Sequence, residues 1–246
     1  MKYFLEIAYK GTNYNGWQRQ NNTPNTVQQT LENALSKMTN TPITAVGCGR
    51  TDAGVHASQF FAHIVVNEAF PYDIAERLNH ILPNDISVHS CFQVDENIHA
   101  QYDAKSRTYE YRIHGQKNAL LSDLSACYSF KKLDVQQLVL AAELVSRSAD
   151  FRAFCKQPDL YKHTICRIQK AEFFIDQDAQ RLTFTITADR FLRGMIRLLM
   201  GNMLAVAYGQ ESLDNFEKAL QTGIAPRFFR LAHPQGLFLT EVVYRF

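Results

Sequence analysis

No stretch of this 246-residue chain approaches the roughly eighteen uninterrupted apolar residues that a membrane-crossing helix requires. The start, MKYFLEIAYK, mixes charge into its apolar run with no signal-peptide pattern after it, so a soluble, cytoplasmic protein with no membrane partner is expected. The five cysteines, Cys48, Cys91, Cys127, Cys155 and Cys166, are odd in number and contain no C-x-x-C pair. That argues against a disulfide framework and against a cysteine zinc site, and leaves reduced, mostly buried thiols. There is no P-loop, no G-x-S-x-G nucleophile elbow and no low-complexity segment. Strong basic charge is missing too. A net charge of +2 and a pI near 8.2 fall short of a domain that grips nucleic acid by charge alone.

What is there begins with 46% hydrophobic residues, ample for the core of one large domain or two small ones. Residues 2–10 read as a strand, followed by an unusually polar loop, GTNYNGWQRQNNTPN, around the single tryptophan, Trp17. Thr26 and Gln29 make a capping box, and Val27, Leu31, Ala34, Leu35 and Met38 at helical spacing predict an amphipathic helix over 26–39. Strands at 43–48 and 58–66, a helix from Pro71 to about Leu82, and extended runs at 87–94 and 106–113 follow. From Asp134 the order partly recurs: a helix, a loop, strands at 164–175 and 181–188 around a QDAQ turn, an apolar helix over 193–208, a shorter one at 212–221 and a final strand from Gly236. Two α+β halves joined near residues 103–107 and packed as one unit, with a ligand groove between them, are the economical architecture.

Chemistry concentrates in GRTDAGVHA, residues 49–57. Gly49 and Gly54 suit a tight loop, Asp52 can form a side-chain turn, and T-D-A-G taken alone is ordinary turn chemistry. Arg50 shifts the reading, because a turn needs no arginine there. A guanidinium within about 4–6 Å lowers a carboxylate's pKa by roughly 1–3 units, and an ionised, uncovered carboxylate is a nucleophile or a base. His56 and His63 invite a metal, but a strand separates them and no carboxylate or cysteine completes a ligand set, so His56 reads as a hydrogen-bonded structural histidine. Tyr109 and Tyr111 share one side of a strand, a pattern that sheet packing produces often. Arg193 and Arg197 lie one turn apart on an apolar helix, where a buried guanidinium needs an anion. Arg152, Lys156, Lys162, Arg167 and Lys170 meet only Asp159 as an opposing charge, and Arg190 and Arg193 follow, which permits an anionic partner.

In this order and at this chain length, YKGTNYNGWQRQ, GRTDAGVHA, RTYEY, FLRGMIR and GLFLTEV resemble the bacterial tRNA pseudouridine synthase A family nearly end to end. The resemblance implies an α+β fold of two ferredoxin-like halves with mainly antiparallel sheets forming one continuous unit, and a catalytic cleft between them. Residues 1–105 would carry the aspartate loop and 106–246 the tyrosine strand and arginine helix. It further implies a homodimer without cofactor or metal, an isomerase that converts uridine to pseudouridine in the tRNA anticodon stem-loop, at tRNA positions 38, 39 or 40. Asp52 matches the family's catalytic aspartate and Arg50 the arginine beside it. Tyr109 matches the tyrosine that stacks on the target base, and Arg197 the arginine that pairs with the aspartate. Trp17, Gln18 and Arg19 lie where the family approaches RNA, a packed tryptophan flanked by surface residues being the alternative reading, and Gln101, Tyr102, Lys105 and Arg107 extend the expected RNA-binding set.

The chain departs from the family's F-H-A-R-F-S-A with I-H-A-Q-Y-D-A, so Gln101 replaces a basic residue and Asp103 adds an acid. Arg227 and Arg230, in APRFFRLAHPQGL, are candidates for replacement contacts. Two rivals stand beside the enzyme: a non-catalytic tRNA-binding or folding protein that keeps the pocket, and a metal-assisted hydrolase using Asp52, His56 and His63.

Overall fold

The computed structural model describes residues 1–176, 178 and 180–245; Gln177 and Ala179 of the expected QDAQ turn therefore lie outside the described residues. Chain order runs β1 (Lys2–Tyr9), α1 (Val27–Thr39), β2 (Val46–Gly47), β3 (His56–Val65), α2 (Ile74–Ile81) and β4 (Ile86–Val94). It continues through β5 (Ser106–His114), β6 (Ala126–Cys127), α3 (Val135–Arg147), β7 (Ile168–Asp176), β8 (Arg181–Ala188), α4 (Met195–Ala207), α5 (Leu213–Thr222) and β9 (Leu237–Val243). This is an α+β fold. Among the described residues no helix is long and apolar enough to cross a membrane.

The chain divides into two compact units, one of Met1–Lys105 plus the chain from Phe238 onward, the other of Ser106–Leu237. Residues after Phe238, expected in the second half, thus join the first. β9 pairs in parallel with β3, Val242 N donates to Gln59 Oε1 (2.8 Å), Lys105 N donates to Val243 O (2.7 Å), and Tyr244 Oη donates to Ala100 O (2.6 Å).

In the first unit the strands run β4-β1-β3-β9, with β1 antiparallel to both β3 and β4 and with β2 against β3. Thr26 caps α1 by accepting from Gln29 N, as the capping box requires, and Val27, Leu31, Ala34 and Leu35 bury the helix's apolar stripe. The second helix starts at Ile74 rather than Pro71 because the Asp73 carboxylate accepts from Glu76 N. The strand expected over 43–48 shrinks to Val46–Gly47. Its flanking amides go to α1 side chains instead: Ile43 N to Ser36 Oγ (3.2 Å) and Ala45 N to Glu32 Oε1 (3.0 Å).

In the second unit β8 lies between β5 and β7, antiparallel to both, and β6 runs parallel to β5. Strand β7 begins only at Ile168 because residues before it pair with the segment that follows α3: Phe151 N donates to Thr164 O (3.1 Å) and Cys166 N to Ala149 O (2.9 Å). Every residue of α4 is buried except Arg197 and Gly201, so this helix is the unit's apolar axis. It starts at Met195, not 193, because Gly194 takes a left-handed φ of 73° at the N-cap, and Arg193 therefore stands outside the helix.

Candidate active site

The Asp52 loop runs from β2 to β3, and residues 9–17 hold it from one side. Thr51, the neighbour of Asp52, is buried; its hydroxyl meets the Tyr9 hydroxyl at 2.9 Å and its carbonyl accepts from Trp17 N at 3.2 Å. Val55 N closes the turn onto Asp52 O (3.2 Å), and Gly54, at a φ of 76°, donates its N–H to Tyr14 O (3.2 Å). Gly16, with a φ of 91°, passes so close that a Cβ there would lie 2.4 Å from Thr51 O. Three backbone hydrogen bonds and one between side chains, all within five residues, leave the loop little freedom. Asp52 is half-buried on it, neither sealed in the core nor fully hydrated. Arg50 is exposed and enters no ion pair among the described residues.

The supporting loop is itself pinned. Tyr14 Oη donates to Asp85 Oδ1 (2.6 Å), and burial, with that carboxylate beside it, pushes the phenol's pKa well up. Of the two readings of Trp17, RNA-facing or packed, the structure takes the packed one: it is 1% exposed, its ring 4.2 Å from that of Phe60 and close against Gly47. An indole with that much apolar area belongs in the core, and here it anchors the loop. Gln18 donates to Gln28 Oε1 (2.9 Å), which also accepts from Arg19 N (2.9 Å). Arg19 reaches the buried Glu32 carboxylate at 2.9 Å while half its side chain stays in solvent. Glu32 gathers Arg19, Gln28 Nε2 and Ala45 N, so one buried acid orders Arg19 directly and Gln18 through Gln28.

In the second unit Tyr109 is 8% exposed on β5, edge-on to Phe191 with ring centroids 5.2 Å apart. Tyr111 is fully buried and donates to His233 O at 2.8 Å. Burial drives its pKa up, Tyr128 adds to the rise, and the Arg197 charge opposes it, which places Arg197 beside this phenol. Arg197 is half-buried; its Nε donates to Ala232 O (2.8 Å) and its carbonyl accepts from Ala232 N (2.9 Å). The 230–233 segment thereby fixes the guanidinium's reach. Arg107 corrects another expectation: it is 9% exposed and donates to Asp189 O (3.1 Å), so it braces β5 and offers little to an RNA surface.

Gln101, Tyr102 and Lys105 are exposed, and Tyr102, at 77%, is stacked on His99 with centroids 4.3 Å apart. Sequence reasoning did not single out His99. It lies edge-on to His63 at 4.8 Å and its backbone N–H meets Asp103 Oδ2 at 2.7 Å, so the acid that sets this chain apart shapes the 99–103 turn. His63 is buried and accepts from Ala100 N (3.1 Å). Burial first, then the His99 and Lys2 charges, lower its pKa to about 4. His56 likewise accepts a backbone N–H, from Gly11 at 3.0 Å, and stacks on Phe238. Both histidines thus serve loop structure with Nδ1, and among the described residues no group of three or more His, Cys, Asp or Glu side chains could hold a metal ion.

A family model described as tRNA pseudouridine synthase matches residues 7–103 and 141–245. The chain is 39% identical over 246 residues to the tRNA pseudouridine synthase A of Porphyromonas gingivalis, covering 99% of this chain and 97% of that protein. The protein of the same name from Bacteroides fragilis is 38% identical over 249 residues, covering 99% and 96%. That from Acetivibrio thermocellus is 34% identical over 243 residues, covering 98% of each.

Proposed function

Because the chain belongs to the tRNA pseudouridine synthase family and is therefore an isomerase of tRNA uridine, we propose that Asp52 is the carboxylate on which its reaction turns. The target uridines are in the anticodon stem-loop, at tRNA positions 38, 39 or 40, as the sequence resemblance implies. Tyr109 provides the ring on which the extruded base rests, Arg197 stabilises the ionised carboxylate, and Arg50 works at the RNA beside it. Gln18, Arg19, Gln101, Tyr102 and Lys105 contribute the nearby RNA contacts. The enzyme works in the cytoplasm as a homodimer and needs no cofactor.

The reaction breaks the C1′–N1 bond of uridine, turns the freed uracil and joins C5 to C1′. C5 loses its hydrogen to water and N1 gains a proton, so substrate and product are isomers. Attack of Asp52 on C1′, attack on C6, and assistance to removal of a ribose proton all require an ionised carboxylate against an extruded nucleotide. Taking the uridine out of its stack costs a few kcal/mol, and stacking on an aromatic ring returns about 1–3. A fixed loop matters because a reacting group displaced by about 1 Å loses on the order of a hundredfold in rate.

The observation that carries this reading is the anchoring of the Asp52 loop through Thr51, Gly54, Val55 and Gly16, which leaves the carboxylate half-exposed on a rigid turn. The test is an unmodified tRNA transcript labelled with tritium at uracil C5. The protein alone, without added metal, is expected to release the label to water from the anticodon stem-loop; absence of release from any tRNA overturns the reading.

A further inference from the structure

The 99–103 turn of the first unit is held by two imidazoles. Ala100 N donates to His63 Nδ1 (3.1 Å), and Gln101 N and Tyr102 N both donate to His99 Nδ1 (3.1 and 3.4 Å). The next amide, Asp103 N, donates to His99 O (3.1 Å), while the Asp103 carboxylate accepts from His99 N (2.7 Å). His99 thus collects the amides of Gln101, Tyr102 and Asp103 and closes a reciprocal pair with the last. From outside the turn, Lys2 Nζ on β1 donates to Ile98 O (2.8 Å) and the Tyr244 hydroxyl to Ala100 O (2.6 Å). An imidazole nitrogen accepts only when it carries no proton. Burial, then the Lys2 charge, lower the His99 pKa against the pull of Asp103, which keeps the ring in that accepting form at neutral pH.

What the turn displays is Tyr102. Its ring lies on that of His99, with centroids 4.3 Å apart and planes at 29°, and 77% of the residue stays open to solvent. His99 in turn stands edge-on against the buried His63 at 4.8 Å. An exposed tyrosine on an unbraced loop samples several rotamers, whereas one backed by a second ring on an anchored backbone is ordered in advance. A large flat ring kept in water with one face covered has the form of a platform for a nucleobase, since every base offers a π-face.

We infer that His99 is a positioning residue for tRNA binding, presetting the 99–103 turn and backing the Tyr102 ring so that its open face receives a base of the tRNA. The inference rests on the reading of Tyr102 as an RNA contact. Ordering a side chain and its loop during association costs the equivalent of about two- to twelvefold in affinity, a cost that a ring held in place beforehand avoids. The stacked base itself contributes about fivefold or more.

The test is equilibrium binding of an unmodified tRNA transcript, at fixed salt and neutral pH, to the wild type, His99→Ala, Tyr102→Ala and the double variant. Tyr102→Ala is expected to weaken binding about fivefold or more, and His99→Ala about two- to twelvefold. Because His99 acts through Tyr102, the double variant is expected to bind within about twofold of Tyr102→Ala. His99→Asn leaves a side-chain oxygen for the amides of Gln101 and Tyr102 and is expected to bind more tightly than His99→Ala. Wild-type affinity in His99→Ala, an equal loss from it in the Tyr102→Ala background, or no recovery in His99→Asn overturns the positioning role. If His99→Ala does not fold by circular dichroism, His99→Asn takes its place in the cycle. A smaller loss that again vanishes beside Tyr102→Ala is then expected, and a loss that persists there overturns the role. The readout is binding, so it separates from the tritium assay: a wild type that releases label while His99→Ala binds normally sinks the positioning role alone, whereas a wild type that releases none sinks the reading of the reaction.

Discussion

Replacing Gly16 by alanine perturbs the Asp52 loop without touching Asp52. Two costs follow from the structure. The φ of 91° is one that an L side chain adopts at about 1–2 kcal/mol. The new Cβ would also stand 2.4 Å from Thr51 O, with Asp52 C at 3.1 Å and Ala53 N at 3.3 Å, all backbone atoms that cannot rotate away. An ordinary carbon–oxygen contact is about 3.3 Å or more, so the two segments must part by about 1 Å, at a further cost of roughly 1–3 kcal/mol. Gly209 isolates the first cost, because its φ is 67° and nothing lies within 4 Å of a Cβ placed there. Urea unfolding of Gly209→Ala is expected to show a loss of about 1–2 kcal/mol, and of Gly16→Ala about 2–5. Single-turnover tritium release, compared at full folding, is expected to fall about a hundredfold for Gly16→Ala and to be preserved for Gly209→Ala. If Gly16→Ala lost no more stability than Gly209→Ala and turned over at the wild-type rate, the loop would not be held as described.

Trp17→Ala removes a core anchor rather than an RNA contact, so thermal or urea unfolding is expected to show a loss of about 3–5 kcal/mol; a stable variant with selectively weakened tRNA binding would restore Trp17 to the surface. The buried, neutral His63 makes stability depend on pH. Its pKa of about 4 in the folded chain lies below the unfolded value near 6.5, so the unfolded state binds the extra proton. Its contribution is complete above about pH 6.5 and is lost as pH falls toward 4, by about 3 kcal/mol in all, a loss that urea unfolding across that range measures directly. An imidazole titrating near 6.5 by NMR would refute it.

Much of the fold was legible because its signals are local. The Thr26–Gln29 capping box, the apolar stripe of α1 and the alternation along β5 each involve residues a few positions apart, and each forms where the spacing placed it. The misreadings share another cause. The polar stretch GTNYNGWQRQ leaves open whether Trp17 faces RNA or turns inward, because what covers it, Tyr9 and Phe60, comes from β1 and β3. Residues 43–48 have strand composition, yet Glu32 and Ser36 on α1 claim the amides that a ladder would have used. Arg107 could have been placed correctly, since the alternation that buries Tyr109, Tyr111 and Ile113 buries it as well. The charges of 152–170 and 190–193 are plain in the sequence, but only the pairing of Lys156 N with Arg193 O brings them to one place. In the site itself, the motif put Asp52 on a turn, while the anchors at Tyr9, Tyr14, Gly16 and Trp17 depend on long-range packing that no spacing reveals.

The central claim is that the Asp52 carboxylate is indispensable to the isomerisation and nearly dispensable to RNA binding. Single-turnover tritium release from an unmodified tRNA transcript by Asp52→Asn, with tRNA affinity measured on the same preparation, tests both halves at once. The rate is expected to fall by about a thousandfold or more with affinity largely retained, and label released at close to the wild-type rate would contradict the account.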